Sequence, residues 1–138
     1  CCFQGYVTLT FVPSERRAEN GKIAMTFTEM TDEDVISLVE PMMDGCLAGS
    51  NEDNHQKHTK HFTDRMKKIV TPENLKRQLS HEPRAYFTKR VFLHLFRREK
   101  SIGIVWKQYI STSNDELINQ AIFVQNKDKI LIDHCMIC

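Results

Sequence analysis

The sequence predicts an α+β domain in which three N-terminal helices pack on a curved, mainly antiparallel β-sheet. Three observations carry that expectation. Between residues 31 and 79, apolar residues recur at steps of three and four, the period of amphipathic helices. From residue 84 onward the pattern changes to β-branched and aromatic segments separated by short polar turns. Connections that short leave no room for crossover helices, so the strands form an antiparallel meander with the helices on one face.

At 138 residues the chain has the size of one domain. Hydrophobic residues make up 41% and charged residues 27%, which excludes the composition of a disordered chain. Nineteen basic residues face 18 acidic ones, so the net charge of +1 supplies no global attraction to nucleic acid or to an anionic membrane. The start lacks the basic and apolar regions of a signal peptide, and no stretch approaches the roughly 18 apolar residues of a membrane span, so a soluble, cytoplasmic chain is expected. The five cysteines are an odd set clustered near the termini, which fits a reducing compartment better than a disulfide framework. Cys135 and Cys138 have the spacing of a redox or zinc half-site. In an extended strand, however, they point to opposite faces and share neither a disulfide nor a metal without a turn.

Residues 1–24 read as an N-terminal extension, either non-native or an extra edge strand, with a short strand over residues 5–12. Phe3-Gln4-Gly5 resembles the scar of a cleavable tag. A single domain is expected over residues 25–138. Its first helix, over residues 31–49, has Thr31 as N-cap, Asp34 three residues on, and Asp32 and Glu33 in the first turn, where acidic groups suit the helix dipole. Val35, Val39, Met42 and Cys46 form its inward stripe. Pro41 should bend this helix near residue 37, and Gly45 and Gly49 should weaken and end it. A second helix is expected over residues 54–69, with Phe62, Met66 and Ile69 inward. The third begins at Thr71 as cap and Pro72 as first helical residue, turns Leu75 and Leu79 inward, and stops before Pro83. Strands follow over residues 84–98, 101–110, 116–125 and 130–137. Both faces of these strands are partly apolar: Ile102, Ile104 and Trp106 alternate with Val105 and Tyr109. One face packs on the helices, and the economical cover for the other is the sheet of a second copy in a two-fold homodimer.

The run Cys46-Leu47-Ala48-Gly49-Ser50 through His61-Phe62-Thr63-Asp64-Arg65-Met66-Lys67-Lys68-Ile69-Val70-Thr71-Pro72-Glu73-Asn74-Leu75, with strand patterns from Ser101 to Trp106 and from Ile130 to His134, resembles the nuclear transport factor 2-like superfamily. This is the cone-shaped, cystatin-like fold that includes ketosteroid isomerase and SnoaL-like proteins, and the resemblance covers about residues 31–137. It implies a ligand-sized pocket between the helices and a concave sheet, and dimerisation through the sheet. The superfamily hosts isomerases, dehydratases, epoxide hydrolases and noncatalytic binding modules, so the fold does not choose the chemistry. No equivalent of their cavity aspartates or tyrosines can be matched in this sequence.

His55, His58 and His61 repeat at a three-residue step, spread over roughly 120° of a helix, so all three cannot converge on one metal. The His-Glu-x-x-His pattern of zincins is absent, and no metal site is expected. Polar residues also interrupt the apolar strands. His94 lies between Phe92 and Phe96, Gln108 beyond Trp106, Asn119 before Phe123, and Asp133 and His134 before Cys135. Burial of such groups costs a few kcal/mol unless they are hydrogen-bonded, which points to a pocket lining, a polar dimer face or an internal network. Strand parity places His94 with Phe92 and Phe96, and His134 with Ile130 and Ile132, with Asp133 opposite.

The candidate pocket residues are therefore His58, Phe62, His94, Trp106, Gln108, Asn119 and His134, the aromatics supplying apolar surface and the others orientation. No catalytic residue is assigned. With five glycines, no phosphate loop and no Gly-x-Ser-x-Gly elbow, nucleotide chemistry and triad hydrolysis are disfavoured and no cofactor is expected. Basic pairs such as Lys67-Lys68 and Arg97-Arg98 sit at element ends without an aromatic platform, so no nucleic acid and no membrane partner is expected. The leading reading is a small homodimeric domain that binds an apolar or amphipathic small molecule. The alternatives are a cofactor-free isomerase or dehydratase using a pocket histidine or carboxylate, and a noncatalytic interaction module with a filled core.

Overall fold

A computed structural model describes residues 26–138. The extension over residues 1–24, with the strand expected over 5–12, lies outside the described residues. A one-turn 3-10 helix at Phe27–Glu29 is followed by helices α1 (Asp32–Asn51), α2 (His55–His58), α3 (Asp64–Ile69) and α4 (Pro72–Gln78). Four strands then follow: β1 (Phe87–Arg97), β2 (Ser101–Ile110), β3 (Leu117–Asn126) and β4 (Lys129–Ile137). They form one sheet in the order β1-β2-β3-β4, antiparallel throughout. No helix among the described residues is long and apolar enough to cross a membrane.

Helix α1 starts where its sequence signals lie. The Thr31 hydroxyl accepts the backbone N–H of Asp34 at 3.1 Å, and Asp32, Glu33 and Asp34 occupy the first turn. Val35, Val39, Met42 and Cys46 are buried as the stripe requires, joined by Met43 and Leu47. The helix runs unbroken through Pro41, which is exposed, and two residues beyond Gly49. Gly49 thus does not end the helix. A Cβ there would lie 2.3 Å from the backbone nitrogen of His58, so the glycine is what lets α2 close onto α1.

The single helix expected over residues 54–69 is two short helices. The Thr59 hydroxyl donates to His55 O at 2.9 Å at the end of α2, and the Thr63 hydroxyl caps α3 by accepting from Met66 N at 3.3 Å. Between them the chain pairs with β4. Ile132 N donates to His61 O at 2.7 Å, and Thr63 N donates to Ile132 O at 2.9 Å, placing Phe62 in a short parallel bridge. The signal for the break, a Thr-Asp pair at 63–64 suited to a helix start, is in the sequence. The third expected helix appears as α4, with the Thr71 hydroxyl accepting from Asn74 N at 3.1 Å and Pro72 at its first turn.

Strand β1 begins at Phe87, where the Asn51 side chain takes the place of a partner strand. Its amide donates to Phe87 O and accepts from Phe87 N, both at 2.9 Å. The inner sheet face buries Leu95, Ile102, Ile104, Trp106, Ala121, Phe123 and Ile132 against α1. Three register shifts break simple strand parity, one of them near the start of β1 between Phe87 and Arg90, and the other two change the faces of candidate residues. In β1 the register shifts between Phe92 and His94: Phe92 pairs with Trp106, but His94 pairs with Val105 and Phe96 with Gly103. In β4 it shifts at Asp133, so Ile132 pairs with Phe123, His134 with Ile122 and Cys135 with Ala121. His94 therefore shares a face with Phe96 but not with Phe92, and His134 does not share one with Ile132. The bulged residue is held in place: the Thr63 hydroxyl donates to Asp133 Oδ1 at 2.8 Å and Arg65 Nε donates to the same oxygen at 3.2 Å.

Candidate functional site

A cavity of about 550 Å³ opens between the helices and the inner sheet face. One wall comes from α1, with Cys46, Leu47 and Ser50, and from His58 of α2. Phe62, Met66 and Val70 add apolar surface around α3, and Phe87, Cys135 and Ile137 supply the sheet side. The segment after α4, from Gln78 to Ala85, forms a more polar rim with His81, Glu82 and Arg84. An apolar body with convergent polar groups at one end is the general form of a small-molecule site.

Arg84 is the rim's cation. One guanidinium nitrogen, Nη2, donates to Ser50 O at 3.0 Å and Asn51 O at 2.8 Å, and the group lies over the Tyr86 ring, 4.8 Å from its centroid. Its Nε is buried without a hydrogen-bond partner. Among the described residues no carboxylate is within ion-pair distance of it, whereas Arg90, Arg97 and Arg65 each have one. A cation holding only carbonyl partners retains attraction for an anionic group.

His58 occupies the wall with a fixed tautomer. Its Nδ1 lies 2.8 Å from Cys46 O, and because a carbonyl only accepts, Nδ1 carries the proton. The Cys46 Sγ is 3.5 Å from the same nitrogen, and the imidazole meets Phe62 edge-on at 5.3 Å between ring centroids. Burial holds the His58 pKa below the usual histidine value, assisted by nearby His55 and opposed by the bond to Cys46 O. His61 is also lowered, by burial and by Lys60 and Lys67.

This gives a pH dependence with a definite sign. A histidine whose folded pKa is depressed contributes stability that is complete above its unfolded value of 6.5 and is lost as pH falls toward the folded pKa. Unfolding free energy measured by urea titration should therefore fall as pH drops from about 7.5 to about 5.5, and His58→Gln should show a shallower fall. An unchanged slope in that variant would remove His58 from the account.

Of the sequence candidates, His58 and Phe62 line the cavity. Trp106 lies beneath α1 as a fully buried core residue, donating from Nε1 to Glu40 Oε2 at 2.8 Å, with the Arg90 guanidinium 5.2 Å from its ring centroid. Gln108 and Asn119 are buried and bonded to each other: Asn119 Nδ2 donates to Gln108 Oε1 at 3.1 Å, and Gln108 Nε2 donates to Lys89 O and Tyr109 O. They form an internal amide pair away from the cavity wall. The register shifts give His94 and His134 the outer-face partners Val105 and Ile122, and His94 stacks edge-on with Phe96 at 4.6 Å. His55, His58 and His61 do not converge, since His55 Nε2 bonds Val70 O at 2.7 Å, His58 Nδ1 bonds Cys46 O, and His61 lies beyond α2 where its carbonyl pairs with Ile132. Among the described residues no group of three histidine, cysteine or acidic side chains forms a metal site. Arg84, Cys46 and Cys135 escaped sequence reasoning as wall residues. The first stood in what read as a strand start, the second as a core stripe residue, and the third on the wrong side of an unseen bulge.

The outer sheet face carries Phe96, Ile118 and Met136, which are 48%, 52% and 47% exposed, beside half-buried Ile122 and Val124. Lys107, Gln120, His94 and His134 share that face with them.

The helices on one face of a four-stranded antiparallel meander, with the cavity between them, define an α+β domain of the cone-shaped nuclear transport factor 2-like fold. Among solved structures the chain is similar to one from Thiobacillus denitrificans ATCC 25259, assigned as a calcium/calmodulin-dependent protein kinase type II association domain. The TM-score is 0.56 at 7% sequence identity, over 71% of this chain and 91% of that one, a likeness of fold alone. No family model matches the sequence, and no curated protein matches it.

Proposed function

We propose that this domain holds an amphipathic small molecule in its cavity and works as a homodimer joined through the outer sheet face. The observation that carries the reading is the cavity itself: an apolar interior with a rim cation, Arg84, that lacks a carboxylate partner among the described residues. The ligand it fits has an apolar body toward Phe62, Met66 and Leu47 and an anionic or strongly polar end at Arg84. The exposed apolar side chains of Phe96, Ile118 and Met136 support the dimer, as does the likeness in fold to a protein described as an association domain.

A thermal-shift screen of the full chain against medium-chain fatty acids, steroids and aromatic polyketides tests the reading, with light scattering on the same samples. Ligand at 100 times its Kd should add about 2.7 kcal/mol, a rise of several degrees, and Arg84→Gln should reduce the rise for anionic ligands. A folded dimer that shifts with no class would favour the second reading, an interaction module whose working surface is the sheet alone.

A further inference from the structure

Two of the chain's cysteines meet at the cavity although the sequence holds them far apart. Cys46 comes from the fourth turn of α1 and Cys135 from β4, and both line the same cavity. Cys135 is there because of the bulge: without the extra residue at Asp133, strand parity would send Cys135 to the outer face and His134 inward. Thr63 and Arg65 hold that bulge by binding the Asp133 carboxylate, so the position of Cys135 is fixed by the framework. On the other side, Cys46 Sγ lies 3.5 Å from the protonated Nδ1 of His58. Cys138, two residues after Met136 at the strand end, is exposed instead.

We propose that Cys46 and Cys135 form a dithiol site on the cavity wall that is oxidised to an intramolecular disulfide by low-molecular-weight disulfides entering the cavity. The two thiols have opposite tendencies. A hydrogen bond from Cys46 holds the Cys135 thiol below the usual range against the opposing effect of burial, and the same bond together with burial pushes Cys46 up. Cys135, partly accessible where Cys46 is buried, is then the attacking thiolate and Cys46 the resolving thiol. In the first step the Cys135 sulfur attacks one sulfur of the small disulfide RSSR. The S–S bond breaks, and one thiolate leaves and takes up the proton that Cys135 gave up. In the second, Cys46 loses its proton and attacks the Cys135 sulfur of the mixed disulfide, releasing the second thiol. Two protein thiols and one RSSR become one protein disulfide and two RSH, with two electrons passing to RSSR. A metal is the weaker occupant, because no third ligand joins the pair among the described residues and the His58 Nδ1 proton is held by Cys46 O. This site rests on the cavity and its thiols and stands apart from the ligand reading.

Cys135 and Cys138 would share the tryptic peptide after Lys129, so the test uses the Cys138→Ser full chain. Reduced, folded protein is incubated with oxidised glutathione, its remaining thiols are alkylated, and peptides are mapped without reduction. The expected product is a peptide containing Cys46 linked to the peptide containing Cys135, two hydrogens lighter than the reduced pair. With Cys46→Ala added, glutathione should remain attached to Cys135, since nothing resolves it. Recovery of Cys46 and Cys135 as alkylated free thiols would overturn the proposal, as would a glutathione adduct on Cys135 that persists with Cys46 present.

Discussion

Replacing Trp106 with alanine is expected to destabilise the domain by about 3–5 kcal/mol, the range for removing a fully buried tryptophan. Trp106 joins three elements: it packs in the core under α1, meets Phe123 edge-on at 6.5 Å and donates to Glu40. Around it, Arg90 bonds Glu40 and reaches Asp44 Oδ1 at 2.7 Å, tying β1 to α1. Trp106→Phe separates the contributions, because it keeps a ring but deletes the N–H. That hydrogen bond goes to a charged acceptor, so its loss costs about 1.5–3 kcal/mol, in addition to the smaller volume. Urea unfolding of both variants reads the difference directly. A loss below about 1 kcal/mol for the alanine variant would contradict the core role. The result also bears on ligand binding. Because Trp106 lies outside the cavity wall, a variant that still folds should retain its ligand-dependent thermal shift.

Gly49→Ala should destabilise the protein by about 1–3 kcal/mol, the usual range for overpacking. The direction is the informative part, because inside a helix alanine is favoured over glycine by about 1 kcal/mol. Here the added methyl would meet backbone atoms only: His58 N at 2.3 Å, His58 Cα at 2.6 Å and Lys57 C at 2.8 Å. A backbone has no rotamer with which to yield, so α2 must move away from α1. That movement breaks the contact of His58 Nδ1 with Cys46 O and exposes the imidazole, and because burial is the main cause of the depressed His58 pKa, the pKa followed by NMR should return toward 6.5. A stabilised variant with an unmoved His58 would refute the close-approach account.

The fold was legible wherever a local rule fixed the outcome. Thr31 and Thr71 each cap a helix through the side-chain oxygen as expected, and the four strands fall within three residues of their expected ends. The second helix was misjudged because periodicity alone runs across residues 59–63. The break there carries a local signal, Thr63 as cap of a new helix, but the pairing that holds it, hydrogen bonds to Ile132 some 70 residues away in sequence, is not encoded in any local pattern. The candidate site was read less well, and for one physical reason. Side-chain period in a strand is two, so a single bulge reverses every assignment beyond it. The shifts near Leu93 and at Asp133 put His94 and His134 opposite Val105 and Ile122 and carried Cys135 to the cavity. Gln108 and Asn119 illustrate a different ambiguity. Interrupting polar residues signal a pocket or an internal network equally well, and only the 3.1 Å bond between their amides distinguishes the two.

Calorimetric titration of the full chain with dodecanoate, beside an Ala85→Trp variant that fills the cavity rim, addresses the central claim most directly. The account predicts saturable binding of one dodecanoate per chain, lost in the folded variant. Absence of saturable binding, or equal binding by both proteins, would contradict a ligand held between the helices and the sheet.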